Sequence, residues 1–425
     1  MIRVLYSLVM VLAAPLLYLR ILFRSLRAPA YRQRIGERFA LGLPAPGDAS
    51  RPLIWVHAVS VGETVAAAPL INALLDEHGH RVLVTTMTPT GSERVRTLFG
   101  DRVIHCYSPY DIPFLIERFI DWLQPRLLIL METEMWPNLL HGCHDRGVQI
   151  LLANARLSAR SAAQYRRFPR TTRSMLACID CIAAQAEADA NRFVALGADP
   201  ERVHVSGSLK FNVTIPDAET DLPAVLEYIK ASGRPVIIAA STRDREEPRV
   251  LDAFRRVLAR RPDVLLLLVP RHPERFDEVT RLCREQGFKL QRRSRVTSLD
   301  QDAQILLGDS MGEMDLYYAC ASIAFVGGSL VNTGCQNVLE PAARALPVLV
   351  GPSQFNFATI CAALEEAGAL QTVADANALG DALLSLLDEP ERARRMGAAG
   401  KALVAANQDA LPAHRQLIAD LLDIA

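Results

Sequence analysis

The chain has 425 residues, of which 50% are hydrophobic and 22% are charged, and its 47 lysines and arginines equal its 47 aspartates and glutamates in number. This length and composition exclude a disordered chain, a collagen-like chain and a small disulfide-stapled module, and they predict two domains. Because nucleic-acid-binding proteins usually carry a basic surplus, the net charge of zero also argues against nucleic acid as a partner.

The N-terminal segment differs in charge from the rest of the chain. The first 18 residues are almost wholly apolar, and residues 1–36 contain six arginines and no acidic residue. An apolar run of this length followed by arginines predicts an uncleaved membrane anchor and basic flank over residues 1–35, with the flank on the cytoplasmic side. A cleaved signal peptide and a first core helix are the alternatives.

From Pro52 onward, short β-rich runs alternate with helical stretches. Because continuous apolar strands separated by helices form parallel sheets covered on both faces, this pattern predicts an α/β fold with two doubly wound, Rossmann-like domains. Ligands of such sheets bind beyond the carboxyl ends of the strands, so we expect a cleft there. The strand-like runs are 53–57, 82–86, 103–107, 126–131, 148–154, 181–185, 203–206, 236–240, 264–269, 305–307, 323–326 and 348–350.

A polar, acidic stretch interrupts the alternation after residue 212 and predicts the domain boundary. The predicted domains are 36–212 and 235–425, joined by a linker over 213–234. The last helical stretch, 410–424, is a candidate to pack back on the first domain.

The eight cysteines have no spaced framework, so we predict reduced, buried thiols. Two groups have some metal-ligand character, namely Cys178 with Cys181, and His141 with Cys143 and His144. Neither group has a further ligand pair at the spacing of a zinc site. We therefore predict a packed strand and a polar helix end at these positions.

Polar residues that follow strands of the first domain are candidates for acid–base chemistry. Glu63 lies three residues after a serine, the spacing of a helix capping box, but a carboxylate at this strand end could also take a proton from a hydroxyl nucleophile. Glu132 and Glu134, in an extended segment, are expected to point the same way, with Arg156 as a candidate partner. Solvated loop acids are the alternative. Lys210 could neutralise a carboxylate or phosphate, unless it is a plain surface lysine.

Three strand ends of the second domain are polar and turn-like. Arg271 follows the run 264–269 and is available to a phosphate. The segments 309–314 and 327–341 contain predicted helix starts, whose backbone N–H groups bind anions, and Glu340 lies one turn into the second. This arrangement is typical of a nucleotide site, with Glu340 accepting from ribose hydroxyls. The chain has no P-loop or nucleophile-elbow motif, which disfavours NTP hydrolysis and esterase chemistry.

Taken together, these motifs resemble those of the Kdo transferases, which move 3-deoxy-D-manno-octulosonic acid (Kdo) from CMP-Kdo to a lipid A precursor. The resemblance covers the N-terminal apolar segment and the tracts 57–63, 132–138, 154–158, 207–211, 327–330 and 337–341. It implies the GT-B glycosyltransferase architecture, with acceptor binding in the N-terminal domain, CMP-sugar binding in the C-terminal domain, and neither metal nor cofactor. It further implies transfer to lipid IV A at the cytoplasmic side of the cell inner membrane, in lipopolysaccharide inner-core biosynthesis.

By the same resemblance, Glu63 is similar to the family's general base, and Glu132 or Glu134 and Lys210 are similar to groups that assist the transition state. The implied contacts to CMP are Pro270, Arg271, Gly312, Glu313, Met314, Asn337, Val338, Leu339 and Glu340.

The chain departs from the family pattern within the tracts 242–247 and 334–340 and at a Gly-Pro-His position. The departing residues are Arg243, Arg245, Cys335, Gln336, Val338 and Ser353. Other proteins of this architecture are the alternatives to a Kdo transferase: a UDP-sugar transferase, a nucleotide-sugar epimerase, or a non-catalytic membrane-attached nucleotide-sugar sensor.

Overall fold

The structure is a computed structural model that describes residues 2–48, 50–76, 80–212 and 222–424. The β-strands are β1 Leu53–His57, β2 Arg81–Thr86, β3 Ile104–Tyr107, β4 Leu127–Met131, β5 Gln149–Ala155, β6 Cys181–Ala184, β7 Val203–Val205, β8 Val236–Thr242, β9 Leu265–Pro270, β10 Leu290–Arg292, β11 Ile305–Leu307, β12 Ile323–Val326, β13 Val348–Val350 and β14 Leu370–Thr372.

The α-helices alternate with these strands. They are α1 Ile2–Arg27, α2 Val61–Asp76, α3 Pro89–Phe99, α4 Pro113–Leu123, α5 Pro137–His144, α6 Ala159–Tyr165, α7 Pro169–Leu176, α8 Glu187–Leu196, α9 Ala224–Ser232, α10 Glu247–Arg260, α11 Phe276–Glu285, α12 Met314–Cys320, α13 Leu339–Ala343, α14 Ala358–Glu366, α15 Ala376–Asp388, α16 Pro390–Ala406 and α17 Ala410–Ile424.

The chain divides into two compact units, each built on one sheet. The first unit comprises Met1–Asn212 with Asn407–Ala425, and the second comprises Val213–Ala406. The first sheet has the strand order β3-β2-β1-β4-β5-β6-β7, and the second has the order β10-β11-β9-β8-β12-β13-β14. The registered strand pairs are parallel in both sheets, for example β1 with β4 and β8 with β12. These sheets confirm the predicted α/β class.

The first sheet is buried on both faces because its central strands consist almost wholly of apolar residues. Leu53 and Trp55 of β1 pack into one core cluster, whereas Ile54 and Val56 pack into another on the opposite face. Side chains alternate between the two faces of a strand, so a continuous apolar run requires helices on both sides. Helix α17 belongs to this unit because its apolar side chains join the second of these clusters.

The second sheet follows the same principle. Ile237 and Ala239 of β8 lie in one cluster, and Val236 and Ile238 lie in the other. Part of the predicted linker is helical, because α9 falls within it and places apolar side chains, including Leu226, in the second cluster. The remaining predicted linker residues, 213–221, lie outside the described residues.

Helix α1 is apolar without being a core helix. The span Arg3–Leu26 has a mean hydropathy of 2.0, and only 6% of the apolar window is buried, so by length and composition it could cross a membrane. Most of its large side chains are exposed, for example Phe23 at 78%. The helix contacts α5 of the first unit through Ser7, whose Oγ donates to Asn138 Oδ1 at 2.8 Å.

The cysteines are all free and buried, as predicted. Both ring nitrogens of His141 are engaged, Nδ1 with the carbonyl oxygen of Pro137 and Nε2 with the Ser174 hydroxyl. Within the described ranges, no group of three or more His, Cys, Asp or Glu side chains could hold a metal ion.

Candidate active site

The first candidate site lies where the strand order of the first sheet reverses. Strands β1 and β4 are neighbours although β2 and β3 intervene in the chain, and such a switch point is where open α/β sheets bind ligands. Helix α2 begins four residues after the end of β1 and carries Glu63 in its first turn. The turn after β4 carries Glu132 and Glu134. Chain topology therefore brings the three predicted carboxylates to one edge of the sheet.

Glu63 is both a capping residue and a buried acid. Its Oε2 accepts from the backbone N–H of Val59 at 2.8 Å, and its Oε1 accepts from the Ser60 hydroxyl at 2.6 Å. Its own backbone N–H contacts Ser60 Oγ at 3.3 Å. The capping interaction predicted from the spacing is thus present, and it fixes the carboxylate in position.

Burial is the main reason why Glu63 titrates abnormally. Glu63 is only 8% exposed, and this burial raises the pKa of its carboxyl group to about 7. The charge of Glu134, and to a smaller extent that of Glu132, raises the pKa further, whereas the hydrogen bonds from Ser60 and Val59 oppose the shift. A carboxyl group with a pKa near neutrality is suited to accept a proton during catalysis and release it afterwards.

Glu132 forms an ion pair with Lys210. The Lys210 Nζ lies 2.7 Å from Glu132 Oε1, and both side chains are about a quarter exposed, at 28% and 25%. Glu132 has a φ of 58°, in the left-handed region, so the prediction that Glu132 and Glu134 lie in an extended segment is wrong. The chain turns immediately after β4, and this turn, not strand alternation, directs the side chain.

Glu134 is held in place by Trp136, whose ring packs against His57. The Trp136 Nε1 donates to Glu134 Oε2 at 2.8 Å, and the Trp136 ring lies edge-on to His57 with centroids 4.9 Å apart. Burial raises the pKa of Glu134. Burial also lowers the pKa of His57 to about 3, so the imidazole is neutral. Trp136 therefore positions one carboxylate of the site without adding charge.

The loop that carries Lys210 is fixed by Asn154, a residue whose role the sequence did not reveal. Asn154 lies at the end of β5 with a φ of 52°, and its Oδ1 accepts from the Leu209 backbone N–H at 3.1 Å and from the Ser208 hydroxyl at 3.3 Å. The backbone N–H of Asn154 donates to His414 Nε2 of α17 at 3.0 Å. Asparagine tolerates the left-handed region, which was the available sequence signal.

Arg156 does not reach the acidic pair. Its side chain is exposed, and it forms no ion pair among the residues that the structure describes. Only the backbone oxygen of Arg156 contacts the acidic segment, where it accepts a hydrogen bond from the Thr133 hydroxyl at 2.8 Å. Lys210, instead of Arg156, is the basic residue that pairs with one of the two carboxylates, Glu132.

In the second unit, Glu246 organises the loop after β12. Its carboxylate is completely buried and accepts three backbone N–H groups, from Arg243 at 3.0 Å, Gly328 at 2.6 Å and Leu330 at 2.9 Å. A Cβ on Gly328, whose φ is 78°, would lie 2.4 Å from the Gly334 carbonyl oxygen. The glycine loop is therefore packed directly against the next backbone segment, and only glycine fits there.

Arg271 lies at the carboxyl end of β9, next to the last residue of the strand, Pro270. Its backbone N–H donates to the Thr242 carbonyl at 3.0 Å, and among the described residues its guanidinium has no acidic partner within salt-bridge distance. Its charge acts on Glu340, whose pKa burial raises and whose Oε1 accepts from Asn337 Nδ2 at 3.0 Å. Arg271, Asn337 and Glu340 thus form a polar group at this sheet edge.

Several of the other predicted CMP contacts are buried or engaged with side chains of their own unit. Val338 and Leu339 are buried, at 0% and 1%, so only their backbone atoms could meet a ligand. Met314 begins α12, which has seven residues, after Gly312 with a φ of 80°. Glu313 is engaged internally with Arg293 at 3.0 Å and with the Ser310 and Tyr317 hydroxyls.

The two doubly wound sheets define the GT-B class of glycosyltransferase folds. In agreement, the fold is similar to that of the S. aureus MnaA–UDP co-structure, with a TM-score of 0.56 and 17% identity, covering 88% of this chain and 98% of that one.

The sequence comparisons are more specific. Residues 33–213 match the family model described as 3-deoxy-D-manno-octulosonic-acid transferase (kdotransferase). The chain is 42% identical to the 3-deoxy-D-manno-octulosonic acid transferase of Haemophilus influenzae, over 99% of this chain and 98% of that protein. It is 40% identical to the enzyme of the same name from Bordetella pertussis, over 96% of both chains. The chain belongs to the Kdo transferase family. Family membership favours Kdo transfer over the UDP-sugar, epimerase and sensor alternatives.

Proposed function

We propose that this Kdo transferase uses CMP-Kdo as donor and lipid IV A as acceptor, without a metal or cofactor, at the cytoplasmic side of the inner membrane in lipopolysaccharide inner-core biosynthesis. The observation that carries the proposal is Glu63, a carboxyl group fixed at a strand end with its pKa raised to about 7. The transfer needs such a group, because an acceptor hydroxyl must lose its proton as it attacks the sugar.

In the proposed step, the acceptor oxygen forms a bond to the anomeric carbon of Kdo while its proton passes to Glu63. The bond between that carbon and the phosphate oxygen breaks, and its electron pair leaves with CMP. Lys210, paired with Glu132 at 2.7 Å, supplies positive charge close to the acidic groups, and it counters the repulsion among Glu63, Glu132 and Glu134.

The proposed donor site is the polar group of the second unit. CMP departs as an anion, and Arg271 is a cation without an acidic partner among the described residues. Glu340, oriented by Asn337, is suited to accept hydrogen bonds from ribose hydroxyls. The backbone of the glycine loop, tied down by Glu246, gives a rigid edge for the nucleotide.

The proposed membrane location rests on α1. Its exposed apolar side chains would be buried in lipid, and the arginines that follow would meet anionic headgroups.

Incubation of the purified protein with CMP-Kdo and lipid IV A, followed by mass measurement of the product, tests the donor, the acceptor and the number of Kdo residues added together. We expect a mass increase of one or more Kdo residues, with activity retained in EDTA. Glu63→Gln should lower the rate at saturating substrates by about 10² to 10⁴. Absence of product from lipid IV A would contradict the proposed acceptor, and a preference for UDP-sugars would contradict the proposed donor. A fully active Glu63→Gln variant would contradict the role of Glu63 as general base.

A further inference from the structure

Helix α1 contacts the first unit along its whole length, through one of its faces. Buried or half-buried side chains recur along it every three or four residues, which is the spacing of a single helix face. These residues are Arg3, Ser7, Met10, Ala14, Leu17, Ile21 and Ser25. From the first to the last of them the face is about 33 Å long, at about 1.5 Å per residue. The helix therefore lies against the unit and does not project from it.

The contact at the beginning of α1 is polar. Asn138 donates its Nδ2 to the carbonyl oxygen of Asp111 at 2.8 Å, which leaves its Oδ1 to accept from α1. Ser7 Oγ donates to this Oδ1 at 2.8 Å, and Arg3 Nε lies 3.5 Å from it. The Tyr6 hydroxyl forms a hydrogen bond to the side chain of Asp111. Because Asn138 and Asp111 are both buried in the unit, they hold the first turns of the helix in place.

The contacts continue to the other end of the helix. Met10 and Ala14 pack against a core cluster of the first unit, and Ile21 and Ser25 are each only 4% exposed. Beyond the helix, Arg32 Nε donates to Ser25 Oγ at 2.8 Å. A helix that crosses a bilayer is instead surrounded by hydrocarbon over about 30 Å. The loops and polar groups of an α/β unit cannot enter that layer, so these contacts are incompatible with a helix that spans the bilayer.

The opposite face of α1 is apolar and exposed. Its exposed side chains include Val4, Leu5, Leu8, Leu12, Leu16, Leu19, Phe23 and Leu26. Arg20 and Arg24 are exposed on the same helix, and residues 1–36 contain no acidic side chain. An apolar face accompanied by uncompensated arginines fits one leaflet of a bilayer that contains anionic lipid. A second copy of the chain would cover the apolar side chains, but it would leave this positive charge without a partner.

We propose that α1 is an in-plane membrane helix, which inserts its apolar face into the cytoplasmic leaflet, remains docked to the first unit and keeps both of its ends on the cytoplasmic side. This inference rests on the membrane location in the proposed function and deepens it.

The in-plane position also brings the candidate site to the membrane surface. Asn138, to which α1 docks, lies in the first turn of α5, and Trp136, which holds Glu134, immediately precedes this helix. The sugar headgroup of a glycolipid acceptor stands at the same surface. It would therefore reach the carboxylates while its acyl chains stay in the bilayer.

The side of the membrane on which the N-terminus lies distinguishes an in-plane helix from a spanning one. A short peptide tag is added to the full chain before Met1 or, as the control, after Ala425. Protease digestion of each tag is then followed in spheroplasts and in inverted inner-membrane vesicles. We expect both tags to be digested in inverted vesicles only. Digestion of the N-terminal tag in spheroplasts would overturn the proposal.

Paired cysteines test whether the helix stays docked in the membrane. Because Ser7 Oγ and Asn138 Oδ1 are 2.8 Å apart, Ser7→Cys with Asn138→Cys should cross-link in inverted vesicles treated with copper phenanthroline, giving a reductant-sensitive shift on a gel. Leu8→Cys with Asn138→Cys is the matched control and should not cross-link, since Leu8 lies on the exposed face. Equal cross-linking of the two pairs, or none in either, would contradict docking. The tag measurement needs neither substitution, so it decides the orientation even if these variants do not fold.

Vesicle sedimentation separates failure of this inference from failure of the proposed membrane location. The wild type should sediment with vesicles of phosphatidylglycerol and phosphatidylcholine. Leu12→Asp should bind them about tenfold or more weakly, because an inserted apolar side chain is replaced by a carboxylate. Val194→Asp, at an exposed position of α8, is the control and should bind like the wild type.

The outcomes are distinct. Wild-type protein that stays in solution, alone or as a dimer, would overturn the proposed membrane location and this inference with it. Membrane-bound protein whose N-terminal tag is digested in spheroplasts would overturn only the in-plane orientation.

Discussion

Replacement of Glu63 by glutamine tests the physical basis of the first site through stability, independently of catalysis. The side chain keeps its length but no longer titrates. In the wild type, burial raises the pKa of Glu63 from 4.5 to about 7. Each pKa unit corresponds to about 1.4 kcal/mol, so the shift amounts to about 3 kcal/mol in the unfolding free energy of the first unit.

The sign follows from the direction of the shift. Because the folded pKa is the higher one, the contribution is fully present below the unfolded value of 4.5 and is lost as the pH rises through about 7. Wild type should therefore lose about 3 kcal/mol relative to Glu63→Gln between pH 4.5 and about pH 8, with most of the loss below pH 7. Any constant difference from the altered capping hydrogen bonds cancels in this comparison.

Urea unfolding followed by tryptophan fluorescence measures the effect. All three tryptophans, Trp55, Trp122 and Trp136, belong to the first unit, so the signal reports on the unit that contains Glu63. Glu93→Gln, at an exposed position of α3, is the matched control and should follow the wild-type pH profile. Parallel pH profiles for wild type and Glu63→Gln would refute the raised pKa and the argument for a general base built on it.

Three further substitutions separate binding from stability. Lys210→Ala should lower kcat by about tenfold or more but change unfolding free energy by less than about 1 kcal/mol, because its pair with Glu132 is partly exposed; an unchanged kcat would exclude a role in the reaction. Asn154→Ala should lower the unfolding free energy by about 1–3 kcal/mol in fluorescence-monitored urea unfolding, since buried donors lose their acceptor; an unaltered midpoint would contradict this. Gly328→Ala should weaken CMP binding in calorimetry, because its Cβ would lie 2.4 Å from a carbonyl oxygen. Gly287→Ala, which has a similar positive φ but open space around it, should not weaken binding. Equal effects of the two substitutions would show that only backbone strain matters.

The fold could be predicted because its signals are local. Strands such as β1 and β8 begin with continuous apolar runs, and the requirement to bury both faces is contained within each run. Helix α9 was missed as an element because its three buried side chains lie next to a polar, proline-containing stretch that dominates the local composition.

The site was only partly accessible to the same reasoning. Glu63 could be proposed because it follows a strand end within a recognisable spacing. The turn at Glu132 was missed because a positive φ in a glutamate has no local sequence signal. The side-chain contact expected of Arg156 also failed, since it depended on distances across the sheet that composition does not encode.

The sequence by itself determined the α/β class, the apolar N-terminal helix and the residues that end the strands, because each depends on the order of neighbouring side chains. Only the tertiary structure decided how those ends work together. The raised pKa of Glu63 depends on burial and on Glu134, 71 positions away, and the loop carrying Lys210 depends on Asn154, which in turn contacts His414 of the last helix, 260 positions away. Such interactions act through space, and they come into being only when the sheet brings distant strand ends together.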